Sequence, residues 1–121
     1  MDSKRTLRER AFKFGLAAFR LAPAIRGHGV EFVNVADQLA RAGTAIGAML
    51  EEGSVAASRR DMAHKHEIAL REAREAVYWL RLLRESGFTA SELRDLEHEA
   101  GELGAMLTVS VRKLRAPRGV G

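Results

Sequence analysis

Three sets of residues carry what chemistry this sequence offers. Glu72, Glu75 and Trp79 are spaced three and four apart, so a helix sets two carboxylates and one aromatic ring on a single flank. Paired carboxylates are raw material for general acid–base catalysis. Nothing nearby supplies a nucleophile or an oxyanion donor, however, and Arg41 in the preceding segment is a ready counter-ion. The set reads as a structural ion pair, within a chain or between subunits. Asp61-x-x-His64 and Asp95-x-x-His98 echo the carboxylate-x-x-His ligands of di-iron helical bundles. In the antiparallel arrangement derived below, these two histidines start successive helices at opposite ends, so they cannot share a metal within one subunit. His66 falls on a core stripe and reads as a hydrogen-bonded structural histidine. The expectation is a non-enzymatic protein with no catalytic residue, metal or cofactor.

The third set is basic. The chain carries a formal net charge of +4, and the position of that charge matters more than its size. Lys4, Arg5, Arg8, Arg10 and Lys13 lie near the N-terminus. Arg59, Arg60 and Lys65 follow the second helix, and Arg112, Lys113, Arg115 and Arg118 end the chain. An up-down-up-down bundle brings all three groups to one end, against Asp2, Glu9, Glu51, Glu52 and Asp61. Arg5, Arg8, Arg59, Arg60, Lys65, Arg112, Lys113 and Arg115 are the candidate contacts to RNA or DNA. No aromatic residue is interleaved with them, so binding would be directed at the backbone and blind to sequence. The opposing reading is a solvated charged rim on a protein-only assembly module.

The elements that position these residues follow from spacing. In the first segment Leu7, Ala11, Phe14, Ala18, Leu21 and Ile25 alternate steps of four and three, the signature of one helical face. Pro23 is expected to end or kink this helix. A second helix is expected from about Val30 to Glu52, with Val35, Leu39, Ala42, Ile46, Met49 and Gly53 inward and Gly53 as its cap. Ala36, Ala40, Gly43 and Gly47 form a neighbouring strip that a second helix can approach closely. The third helix is expected from about Arg59 to Arg84, with Ser58 and Asp61 at its start, Ser86-Gly87 at its stop, and Met62, His66, Ala69, Ala73, Ala76, Leu80 and Leu83 inward. Thr89 and Glu92 form a second capping pair before Leu93, Leu96, Ala100, Leu103, Leu107, Val111 and Leu114.

These stripes predict an all-α protein, an antiparallel up-down-up-down four-helix bundle, in one domain of 121 residues with a basic tail over about 116–121. Phe12, Leu16 and Phe19 form a second apolar strip on the first helix, and Ile68 and Trp79 lie off the main stripe of the third. One four-helix core uses one face of each helix, so the surplus points to a homo-oligomer interface. No apolar run approaches the ~20 residues that span a bilayer. The absence of cysteine fits a reducing, cytoplasmic setting.

Two stretches together resemble a known family. Gln38-Leu39-x-Arg41 and Ile46-Gly47-Ala48, then Ala69-Leu70-x-Glu72-Ala73-x-Glu75 followed by Tyr78-Trp79-Leu80, are similar to the "four helix bundle protein" family, encoded in intervening sequences of bacterial large-subunit ribosomal RNA genes. The resemblance implies a four-helix bundle assembled as a homopentameric ring. A protein related to that family in fold and basicity, the accessory variability determinant of diversity-generating retroelements, works with a reverse transcriptase and RNA; the resemblance thus implies nucleic acid and a protein partner of that kind. Met49 stands where the family usually has asparagine, so no polar role carries over to that position.

Overall fold

The computed structural model describes residues 3–117, with side chains described from Thr6 onward. Four helices follow in order: α1 (Ser3–Arg26), α2 (Val33–Ser54), α3 (Arg59–Glu85) and α4 (Leu93–Arg115). A 3-10 turn, Val30–Phe32, leads into α2. Each helix packs on the next and α4 closes against α1, and among the described residues the backbones approach closely only between these neighbouring helices. Successive helices are antiparallel. Gly15 lies against Gly43 while Ala11 lies against Gly47, and Arg84 meets Glu97 while His66 meets Ser110. No described helix is long and apolar enough to cross a membrane.

The 3.6-residue repeat does most of the positioning. Leu7, Ala11, Phe14, Ala18, Leu21 and Ile25 of α1 are all buried, and so are Leu39, Ala42, Ile46, Ala69, Ala73, Ala76, Leu80, Leu83, Leu103 and Leu107. Glycine lets α1 and α2 approach closely. A Cβ on Gly43 would stand 2.9 Å from the Cβ of Ala18, and one on Gly15 would stand 3.1 Å from the carbonyl oxygen of Gly43. Ser58 caps α3 by accepting the Asp61 backbone N–H at 3.0 Å, and Gly87 turns the chain afterwards at φ 89°.

The structure moves several expected boundaries. Pro23 does not end α1, which continues to Arg26. The proline is exposed, so the hydrogen bond it forfeits lies where water can replace it. Gly53 does not cap α2. It is buried inside the helix, where a Cβ would stand 3.3 Å from the His66 ring. Leu50, rather than Met49, takes the fully buried position in the last turns of α2, and Ala63 rather than Met62 does so in α3. Thr89 and Glu92 form no capping pair: α4 begins at Leu93 with no side-chain cap. The end with the α1–α2 and α3–α4 connections is closed by rings instead, His28 standing edge-on to Phe32 at 4.7 Å and to Phe88 at 5.2 Å.

Candidate functional site

Arg41 faces α3 from the outer side of α2. Its Nη1 lies 3.2 Å from both Glu72 oxygens, its Nη2 donates to Glu75, and its Nε donates to Gln38 at 3.2 Å. The Trp79 indole N–H also donates to Glu75, at 3.2 Å. Glu75 is consequently held below the usual carboxylate range, first by Arg41 and then by Trp79, while the Arg41 guanidinium is pushed up by Glu75. A carboxylate so held is ionised at neutral pH and is a poor proton donor. The carboxylate pair and its counter-ion belong to one chain and join two helices.

At the other candidate surface, side chains from separate segments converge. Arg59, in the first turn of α3, donates through Nε to the Leu114 carbonyl at 3.1 Å and through Nη2 to that of Lys113. This fork supplements the Ala116 N–H already donated to the Lys113 carbonyl, gives the Leu114 carbonyl a donor, and ties the α2–α3 connection to the C-terminal turn. Arg8 reaches Glu51 at 3.9 Å, which brings the first turns of α1 to the same end. The charge there is partly neutralised. Lys65 pairs with Glu52 at 2.9 Å, and Arg115 pairs with Glu67, whose carboxyl it holds below the usual range. Arg60, Arg112 and Lys113 are exposed and have no ion-pair partner among the described residues. The side chains of Lys4 and Arg5, and the whole of Arg118, lie outside the described residues. Arg10 points elsewhere: it forks onto Glu99 of α4 at 2.9 and 2.6 Å and fixes α1 to α4.

The two apolar strips have different fates. Phe12 and Phe19 are 67% and 63% exposed on α1, with half-buried Leu16 between them. They border a groove of about 340 Å³ floored by Gly15, Thr44, Gly47 and Ala48. Ile68 and Trp79 are half-buried, and Trp79 packs against the core. The third helix therefore takes up most of its own surplus, and the outward ring is Tyr78, 59% exposed.

His66 is 2% exposed, with Nδ1 2.7 Å from the Ser110 hydroxyl and its ring against Gly53. His64 lies one residue from Lys65, which meets the end of α2, and His98 lies beside Glu97, which meets the end of α3. The two are at opposite ends of the bundle. Among the described residues no group of three or more His, Asp or Glu side chains converges to hold a metal.

Some of these relationships escape sequence reasoning. The role of Arg59 depends on where α3 starts relative to the end of α4, which no local pattern encodes. The outer ridge of α3, by contrast, was open to a spacing search: residues 60, 64, 67, 71, 74, 78 and 81 recur at steps of four and three.

The geometry has counterparts among known proteins. No curated protein matches the chain. The structure is similar to the crystal structure of a protein of unknown function from the S23 ribosomal protein family of Bacteroides thetaiotaomicron. The two share 30% sequence identity and a TM-score of 0.79, over 88% of this chain and 98% of that one. The model of the 23S rRNA-intervening sequence protein family matches residues 4–109, which span α1, α2, α3 and most of α4, including the Arg41, Glu72 and Glu75 cluster. On that match, the chain belongs to the 23S rRNA-intervening sequence protein family.

Proposed function

We propose that the protein is a non-catalytic, self-assembling bundle that binds the phosphate backbone of nucleic acid at the end where the α2–α3 connection meets the close of α4. One observation carries this reading. Arg60, Arg112 and Lys113 are exposed cations without carboxylate partners, gathered where Arg59 ties α3 to the Lys113 and Leu114 carbonyls. Cations already paired at this end, such as Lys65 and Arg115, contribute less to an external phosphate than unpaired ones. Each phosphate neutralised releases counterions, so such binding is strong at low salt and carries no base specificity. Self-assembly would repeat the same end in every subunit and raise the local field.

A second reading, a protein-only assembly module, draws on the exposed Phe12 and Phe19 strip and on the internal pairing of Arg8, Lys65 and Arg115. Titration of single-stranded RNA over a range of salt concentrations separates the two. Binding should weaken steeply with salt, and Arg60→Glu with Arg112→Glu and Lys113→Glu should weaken it for every sequence alike. No binding at low salt favours the protein-only module.

A further inference from the structure

The solvent ridge of α3 carries charge that the basic end does not account for. Arg60, His64, Arg71, Arg74, Tyr78 and Arg81 lie on one line along the helix and are all exposed. From Arg60 to Arg81 that line runs roughly 31 Å at 1.5 Å per residue. One carboxylate, Glu67, lies on the line itself, paired with Arg115 and in the field of His64 and Arg71. Beside the line Glu72 and Glu75 are engaged by Arg41, and Arg81 of the line is paired with Glu85. Arg71 and Arg74 have no hydrogen-bond or ion-pair partner among the described residues. They stand about two turns and one turn before Tyr78, whose ring is braced edge-to-face by Trp79 at 5.0 Å. Trp79 is itself packed against the core and bonded to Glu75. The result is two guanidinium groups without an ion-pair partner among the described residues, Arg71 and Arg74, followed by an exposed aromatic ring on a rigid support.

We propose that this ridge is a track for a single nucleic-acid strand, which leaves the basic end at Arg60 and continues along α3. Its phosphates lie against Arg71 and Arg74, and an unpaired base stacks on Tyr78. The inference rests on the proposed nucleic-acid binding at that end. Guanidinium groups suit phosphate oxygens because they donate in a planar fork. A single strand, rather than a duplex, is indicated by the tyrosine. Duplex bases are already stacked on each other, whereas a free base has a π-face to offer.

The test is fluorescence anisotropy of the full chain with labelled oligouridylate at several salt concentrations. Arg71→Glu/Arg74→Glu should lower affinity at least tenfold more than Arg20→Glu/Arg94→Glu, which reverses two exposed, unpaired arginines away from the ridge. It should also flatten the log–log salt slope by about 1.4, since each single-strand phosphate contact contributes about 0.7. Tyr78→Ala should lower affinity about 5- to 160-fold with the slope unchanged, the loss expected for one stacked base, and Tyr78→Phe should retain affinity. If both arginine pairs act alike while Arg112→Glu/Lys113→Glu still weakens binding, the track is wrong and the end site stands. If the unmodified protein binds no RNA at low salt, both readings fall. Displacement by polyglutamate as effective as by unlabelled RNA would also overturn the track, since the ridge would then take any acidic polymer.

Discussion

Arg41 of α2 donates to Glu75 of α3 through Nη2, and with Nη1 3.2 Å from both Glu72 oxygens it bridges two carboxylates one turn apart. The Arg41 side chain remains 48% exposed, against 18% for Glu72 and 35% for Glu75. Removing one partner of a buried pair costs about 3–5 kcal/mol, but exposed pairs contribute about 0–1 kcal/mol. Solvent screening places this cluster near the lower scale.

Arg41→Ala should therefore reduce stability by about 1 kcal/mol at neutral pH. Its pH dependence has a definite sign. Because Glu75 is held below its ordinary value in the folded chain, the unfolded chain binds the proton more readily in acid. The stabilisation is complete above the unfolded carboxylate value of about 4.3 and is lost as pH falls through the lower folded value. Urea melts of both proteins should differ at neutral pH and converge in acid. A difference that stays constant into strong acid would show that Arg41 acts through packing.

Gly43 and Gly101 should respond oppositely to alanine, although both are helical. At Gly43 the new Cβ meets that of Ala18 at 2.9 Å, so α1 and α2 must separate. Overpacking costs about 1–3 kcal/mol, against about 1 kcal/mol gained in helix propensity, so a net loss is expected. At Gly101 nothing lies within 4 Å, and the substitution should stabilise by about 0.5–1 kcal/mol. Melting temperatures decide it. A rise for Gly43→Ala would mean that the α1–α2 contact has slack.

The sequence made the stripes legible because burial and helical period coincide. Leu39, Ala42 and Ile46 can be read as core from spacing alone, and the structure buries all three completely. Boundaries were harder because tertiary contacts override local signals. Gly53 has the residue type of a cap, yet it is spent on a close approach to His66 from another helix. Thr89 and Glu92 have capping spacing, yet Leu93 bonds back to the Ala90 carbonyl at 3.2 Å and α4 starts later. Charge was legible in kind, and the Arg8, Arg59 and Arg115 segments do meet at one end, but Arg10 turns to Glu99 instead and the pairing was not legible. Nothing local says that Arg8, Lys65 and Arg115 have partners while Arg60, Arg112 and Lys113 have none.

The same limit applied to the apolar surplus, and it separates two residues that sequence placed together as interface candidates. Phe19 stands 63% exposed beside an apolar groove, whereas Trp79 packs against the core and donates to Glu75. If the α1 strip is the assembly surface, light scattering should give a mass well above the 13.3 kDa of one chain. Phe19→Asp should return that mass to one chain while circular dichroism stays helical, because the charge is harmful only where a second subunit would bury it without a partner. Trp79→Asp should instead lower the melting temperature of the bundle itself, since the buried charge lies within the subunit. A mass of one chain for the unmodified protein would remove self-assembly altogether. Full mass retained by Phe19→Asp would move the interface off α1.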